Sequence, residues 1–397
     1  MKSAKLTAII YAVILSVLLL LPTLTIRYVD HEARGVWENR KLTEFPDKSR
    51  LMSEPKAVFS QFDDYLNDHI GGSFQAIKFR RKFYFDVFNS TGDTYIVGKN
   101  DGALFLTAPF RQKDRTSHFQ WWNNLCFKLQ RGGFQKNYLK RVNASKENIG
   151  RYGAQVIYTS IPSTPVLIPD EFPMSAPKRL KDSCAKVTPQ NNHIVKMSAM
   201  APDVEFFYPL GVFQEKAKDP YFYPNSAYHW QGESTWVFIE EFAKEFDFAL
   251  PKSWPAGPCE YRNVKWDIGK LVGVGTEVMG CDRDLSELEI QVNERFDYPL
   301  NDEYVAANPR KKTIRVVKME NPHAPNDKTA IIFTNSFGPA VRQQYASLFK
   351  TTYHVRPGII NTRDIRILLK ESDILDVDVI TIAIADFHYP NFLGPLE

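Results

Sequence analysis

An excess of either charge is absent from this chain: 50 Lys and Arg stand against 46 Asp and Glu, a net +4 over 397 residues. That is too little to act as an electrostatic footprint for nucleic acid, so no nucleic-acid partner is expected. Internal repeats and low-complexity tracts are also missing. Cysteine is scarce, with four residues (Cys126, Cys184, Cys259, Cys281), none in a Cys-x-x-Cys pair or at a His spacing that suits zinc. Neither a metal nor a dissociable organic cofactor is expected. With 44% apolar and 13% aromatic residues the chain is too hydrophobic to be disordered over most of its length.

Long apolar runs are lacking everywhere but at one place. Lys2 and Lys5 precede Leu6 to Ile26, an uncharged stretch of 21 residues that Arg27 ends. That is membrane-spanning length. The exit, Leu24-Thr-Ile-Arg-Tyr-Val-Asp30, has no small-x-small cleavage site, which favours an uncleaved signal anchor over a removed leader. Lysines on the short side place residues 1–5 in the cytoplasm and everything after Arg27 outside it. Residues 27–55, charged and proline-containing, read as a stem, and a folded domain is expected over 56–397.

In an exported domain disulfides are the default for cysteine. Of the three pairings, the short intervening loop favours Cys259 with Cys281, leaving Cys126 for Cys184. Apolar residues at helical spacing between Phe59 and Phe88 predict two helices broken at Gly71-Gly72, and Tyr95 to Leu106 predicts a hairpin turning on Asn100-Asp-Gly102. Strand patterns at 154–161, 204–210, 330–334, 353–355 and 377–385 alternate with helical ones at 233–246, 341–349 and 362–370. This alternation predicts an α/β fold, a parallel sheet flanked by helices. Residues 257–317 are charged and irregular, and are expected to form an insertion near the rim of a site.

Lys328-Thr-Ala-Ile-Ile-Phe-Thr-Asn-Ser-Phe-Gly-Pro-Ala340 is a core strand running into a small-residue turn that carries Ser336. A serine there is either a helix cap or a nucleophile at the carboxyl edge of the sheet, where such folds place ligands. His229, at another strand-to-helix transition, is the side-chain type suited to take the serine's proton. Asp386, at the end of the last strand, is a candidate to orient the imidazole, and His388 stands two residues beyond it. Arg356 and Arg363 follow a further strand and are candidates to face an anionic sugar or donor. Trp230, Trp236 and Tyr223 would suit sugar stacking.

Several short motifs, in order, resemble one family. Trp37-Glu-Asn-Arg-Lys-Leu-Thr-Glu-Phe-Pro46, Tyr65-Leu-Asn-Asp-His-Ile-Gly71, Ile96-Val-Gly-Lys-Asn-Asp-Gly-Ala-Leu-Phe105, Tyr228-His229-Trp230 with Gly232, and Thr334-Asn-Ser-Phe337 are similar to elements of the SGNH-hydrolase-like polysaccharide O-acetyltransferases of the alginate AlgJ and AlgX type. The resemblance implies an SGNH-hydrolase-like sheet and a serine acyl-enzyme that passes acetyl to an exported polysaccharide. It also implies an MBOAT-type acetyl-donor protein in the membrane and a domain in the periplasm, anchored to the inner membrane. On it Ser336 is the nucleophile, His229 the base and Asp386 a substitute acid, with Asn335, Tyr228, Trp230, Arg356 and His388 near oxyanion or substrate.

Two positions depart from the pattern. Ala227 stands where the family has its orienting aspartate, and Asn335 where it has the aspartate before the nucleophile. A carbohydrate esterase using the same residues, and a glycan-binding or scaffold protein of an export complex with an impaired site, are the alternatives these departures leave open.

Overall fold

The computed structural model describes residues 11–13, 15–17, 34–35, 41–69, 73–88, 96–98, 104–106, 122–150, 153–172, 176–219, 221–223, 229–254, 257–264, 276–281, 283, 285–299, 313–356 and 377–386. The chain divides into two compact units, residues 1–93 with 267–274, and residues 94–266 with 275–397.

In the first unit, α1 (Pro55–His69) and α2 (Ser73–Phe88) are the two expected helices. Proline opens α1, where its missing N–H forfeits no helical bond. The preceding segment is fastened to the far end of α1 through Asp68. Thr43 N–H donates to Asp68 Oδ2 at 2.7 Å, and the buried Arg34 guanidinium donates to the carbonyl oxygens of Asn67, at 3.2 Å, and Asp68. A cation on the last carbonyls of a helix complements its dipole. Of the apolar stretch 6–26, residues 11–13 and 15–17 are described, and they are helical. Among the described residues no helix is long and apolar enough to cross a membrane.

The second unit is built on a seven-stranded sheet in the order β4-β3-β11-β9-β10-β8-β7. Its strands are β3 (Gln155–Ile161), β4 (Glu205–Phe207), β7 (Gln291–Pro299), β8 (Thr313–Glu320), β9 (Asn326–Thr334), β10 (Phe349–Arg356) and β11 (Val379–Ala385). The pairs β4/β3, β3/β11, β11/β9 and β9/β10 are parallel; β8 runs antiparallel to both β10 and β7. The expected parallel sheet is present in five strands, and two antiparallel strands extend it at one side. β11, whose seven residues are all buried, is the middle one of the five parallel strands, and Ile331, Ile332, Phe333, Ile382 and Ile384 form the middle of the core.

Residues 257–317 were expected to be irregular, and their described part is corrected to strands. β5 (Cys259–Val264) and β6 (Thr276–Cys281) form a separate antiparallel hairpin, while β7 and β8 extend the central sheet. In β8, Arg315, Lys318 and Glu320 interrupt Val316, Val317 and Met319, so the segment lacks the uninterrupted apolar run of the inner strands. Short antiparallel strands β1 (Ile96–Gly98) and β2 (Leu104–Leu106) match the expected hairpin, whose turn lies outside the described residues. The helix expected at 362–370 also lies outside them.

Helices flank the sheet: α3 (Gly132–Gly150), α4 (Lys178–Cys184), α5 (His193–Met200), α6 (Leu210–Lys216), α7 (Glu233–Glu245) and α8 (Arg342–Leu348). Both favoured disulfides are present. Cys126–Cys184 spans 58 residues and ties α4 to the segment before α3, and Cys259–Cys281 closes the β5/β6 hairpin at a directly opposed pair.

Connections from β3 lead outward to β4 on one side, and those from β9 lead outward to β10 on the other. The last strand, β11, fills the place between them. Such a reversal leaves a crevice at the carboxyl ends of the inner strands. Each of the five parallel strands ends there on a polar residue: Tyr208 after β4, Ser163 after β3, Asp386 after β11, Asn335-Ser336 after β9 and Arg356 at the end of β10.

Candidate active site

Ser336 stands at the centre of this edge, on the turn between β9 and α8, and is partly exposed. The turn is held by Asn335, whose Oδ1 accepts the Phe337 N–H at 3.1 Å and whose carbonyl accepts the Gly338 N–H at 3.1 Å. An aspartate before the serine would accept the same Phe337 N–H, so asparagine keeps the geometry of the turn and changes its charge. Asn335 is expected to serve the oxyanion through its amide nitrogen, and the local bond described uses Oδ1 instead of that nitrogen. Gly338 is required by space, because a Cβ there would collide with the Thr334 side chain. The Thr334 hydroxyl lies 3.2 Å from His354 Nε2, both fully buried.

The segment carrying His229 is docked on that same turn. The Trp230 indole N–H donates to the Phe337 carbonyl at 2.8 Å, and the His229 ring lies against the Phe337 ring with centroids 4.8 Å apart. A second tie runs through α8: Gln344 Nε2 donates to Thr235 Oγ1 at 2.8 Å, and Thr235 Oγ1 donates to the Gly232 carbonyl at 2.7 Å. Two motifs 107 residues apart are thus brought onto one turn.

Trp230 is 1% exposed and packs edge-on against Phe238 with centroids 4.7 Å apart, and Tyr223 is 3% exposed. Neither offers a face to a sugar, which corrects the substrate-binding reading of Trp230. A tryptophan after the histidine acts here as a core wedge with one polar handle. Trp236 is taken up by Trp254 and by the Arg283 guanidinium, at 5.1 and 4.7 Å. Ala227, Tyr228, Arg363 and His388 lie outside the described residues; of Arg356 only the backbone, on β10, is described.

Asp386 is fully buried one residue beyond β11. It accepts the Ser163 N–H at 3.1 Å, the Ser163 hydroxyl, and the Tyr208 hydroxyl at 2.7 Å. Burial, with the carboxylate beside it, pushes the Tyr208 phenol well above its usual value, so it stays a neutral donor. Next to this cluster His193 is held neutral: its ring is 5.2 Å from that of Tyr208, Ser160 Oγ is 3.5 Å from Nε2, and burial with Lys196 nearby lowers it to about 3.

Ser163 and Tyr208 were not among the sequence candidates. Ser163 carries the same signature as Ser336, an apolar strand running into Ile161-Pro-Ser-Thr-Pro165, and could have been found by it. Tyr208 offers no such signal, because a tyrosine after a three-residue strand is ordinary core until the strand order is known.

No family model matches this sequence, and no curated protein matches it. Solved structures similar to it include Bacillus cereus PatB1 with a sulfonyl adduct, at 12% identity and a TM-score of 0.45 over 74% of this chain and 95% of that one. A DHHW family protein from Eubacterium siraeum is 13% identical with a TM-score of 0.44 over 67% and 87%. The O-acetyltransferase domain of Pseudomonas putida AlgJ is 13% identical with a TM-score of 0.38 over 74% and 92%.

Proposed function

We propose that this protein is a serine-dependent O-acetyltransferase acting on an exported polysaccharide, with Ser336 as nucleophile and His229 as its base. The observation that carries the reading is the docking of the His229-Trp230 element onto the Ser336-Phe337 turn at the carboxyl edge of the sheet. A serine hydroxyl is a poor nucleophile at neutral pH and requires a base within reach. In the first half-reaction His229 takes the Ser336 proton while Oγ attacks the acetyl carbonyl, and the leaving group departs with that proton. In the second, a sugar hydroxyl gives its proton to His229 and attacks the acyl-enzyme, and His229 passes that proton to the departing Ser336 Oγ, restoring both groups. If water attacked instead, the same residues would make an esterase.

Retention at the inner membrane by residues 6–26, a periplasmic domain and an MBOAT-type acetyl-donor protein complete the proposal. The two disulfides support an oxidising compartment. Asp386 is the proposed acid of the site. Its contacts with Ser163 and Tyr208 fix the carboxylate at the carboxyl edge of the sheet, and also support the scaffold reading, in which it only ties strand ends together.

The full chain in detergent, incubated with 4-nitrophenyl acetate, should gain one acetyl group on Ser336 by peptide mass analysis. Ser336→Ala should gain none there, and His229→Ala should slow acylation by a factor of about 100 or more. Acylation of neither Ser336 nor any other residue, in a folded protein, would favour the scaffold.

A further inference from the structure

The β5/β6 hairpin is bound to the chain on both sides of His229. Before it, Met279 N–H donates to the Tyr221 carbonyl at 2.9 Å, and the Tyr221 and Tyr261 rings meet with centroids 4.5 Å apart. After it, Gly232 adopts a positive φ of 65°, and a Cβ there would stand 2.5 Å from the Met279 carbonyl oxygen. Only glycine admits both that backbone conformation and that approach. Two residues beyond the hairpin's disulfide, Arg283 completes the attachment. Its Nη1 and Nη2 each donate to a Glu233 carboxylate oxygen at 2.7 Å, and its Nε donates to the Trp254 carbonyl at 3.0 Å. The guanidinium lies 4.7 Å from the Trp236 ring centroid, and the Arg283 and Glu233 side chains are 3% and 11% exposed. Glu233 is the first residue of α7, so the fork pins the helix that starts four residues after His229.

We infer that Arg283 and the disulfide-closed β5/β6 hairpin form a brace that holds His229 against the Ser336 turn, with Arg283 as a positioning residue for the base. The segment carrying His229 is held from two sides, by the Ser336 turn through Phe337 and Trp230, and by Met279 of the hairpin and Arg283 just beyond it, which bind the chain before and after the histidine. An arginine is needed because three donors in one plane satisfy a carboxylate and a carbonyl together while the flat face stacks on indole; a lysine ammonium does neither. The inference rests on the proposed roles of Ser336 and His229 for its catalytic consequence, but not for its structural one.

Arg283→Lys keeps the charge and removes the fork. In the full chain, two measurements separate the two claims. Carbethoxylation of His229 by diethyl pyrocarbonate, followed by peptide mass analysis, reads the brace without any activity; His323, whose side chain is 57% exposed, is the internal reference. Arg283→Lys should accelerate modification of His229 at least fivefold and leave His323 within twofold. Acetylation of Ser336 by 4-nitrophenyl acetate should fall at least tenfold in kcat with KM within twofold, as expected when the base is displaced and the ester's site is not. Gly232→Ala, which pushes the hairpin off by a different route, should do the same and stands in if Arg283→Lys does not fold. Either variant, folded and with His229 modified at the wild-type rate, overturns the brace. A wild type that is never acylated, together with accelerated His229 modification in the variants, keeps the brace and removes the nucleophile.

Discussion

Asp386 shows how a single residue acquires meaning from its neighbours. Its carboxylate is the acceptor for three donors drawn from the ends of two other strands. Asp386→Ala should leave the Ser163 amide and two hydroxyls without that acceptor, at a cost of about 3 kcal/mol by urea unfolding. A loss under about 0.5 kcal/mol would mean that the cluster contributes nothing to stability. His193 makes a pH-dependent prediction at the same scale. Native His193 refuses a proton down to about pH 3, while in the unfolded chain it binds one below about 6.5. Its contribution is therefore constant above pH 6.5, and stability declines by up to about 1.4 kcal/mol per pH unit below that. Urea midpoints taken at pH 7.5, 6 and 5 should decline less steeply in His193→Gln than in wild type, and equal slopes would assign the acid sensitivity elsewhere.

Among the elements, α7 and the β9-to-α8 connection were legible with bounds close to those observed, because each combines a strong apolar period with a glycine at its turn. β7 and β8 were not. Strands at the far side of a sheet carry charge on alternate or neighbouring positions, and in β8 that looks the same as an exposed loop until a neighbour is supplied. The hairpin was visible only through its cysteines. With a sequence separation of 22, Cys259–Cys281 restricts the unfolded chain enough to add about 3 kcal/mol, and Cys126–Cys184, at a separation of 58, about 4 kcal/mol. Cys259→Ser/Cys281→Ser should lower the thermal midpoint and should also loosen the His229 segment, read as faster proteolysis between residues 219 and 233. A lowered midpoint with unchanged cleavage there would separate the bond's global effect from any role in holding the histidine.

At the scale of the whole molecule, the site is a consequence of strand order. Residues from positions 163, 208, 336 and 386 share one edge because β11, last in sequence, is inserted between β3 and β9. The sequence alone was enough to predict the inner strands, the two-helix start and both disulfides, since each rests on local chemistry: an apolar period, a glycine break, a short loop between cysteines; Ser336, His229 and Asp386 it offered as candidates, through strand ends and a family resemblance. Tertiary structure alone decided that Trp230 is a buried wedge rather than a sugar platform, that Asp386 is tied to Ser163 and Tyr208, that the sheet ends in antiparallel strands, and that Arg283 grips the helix after His229. The reason is physical. Local sequence sets backbone preference and the pattern of burial, whereas the identity of a polar group's partner depends on which distant segment fills the remaining space.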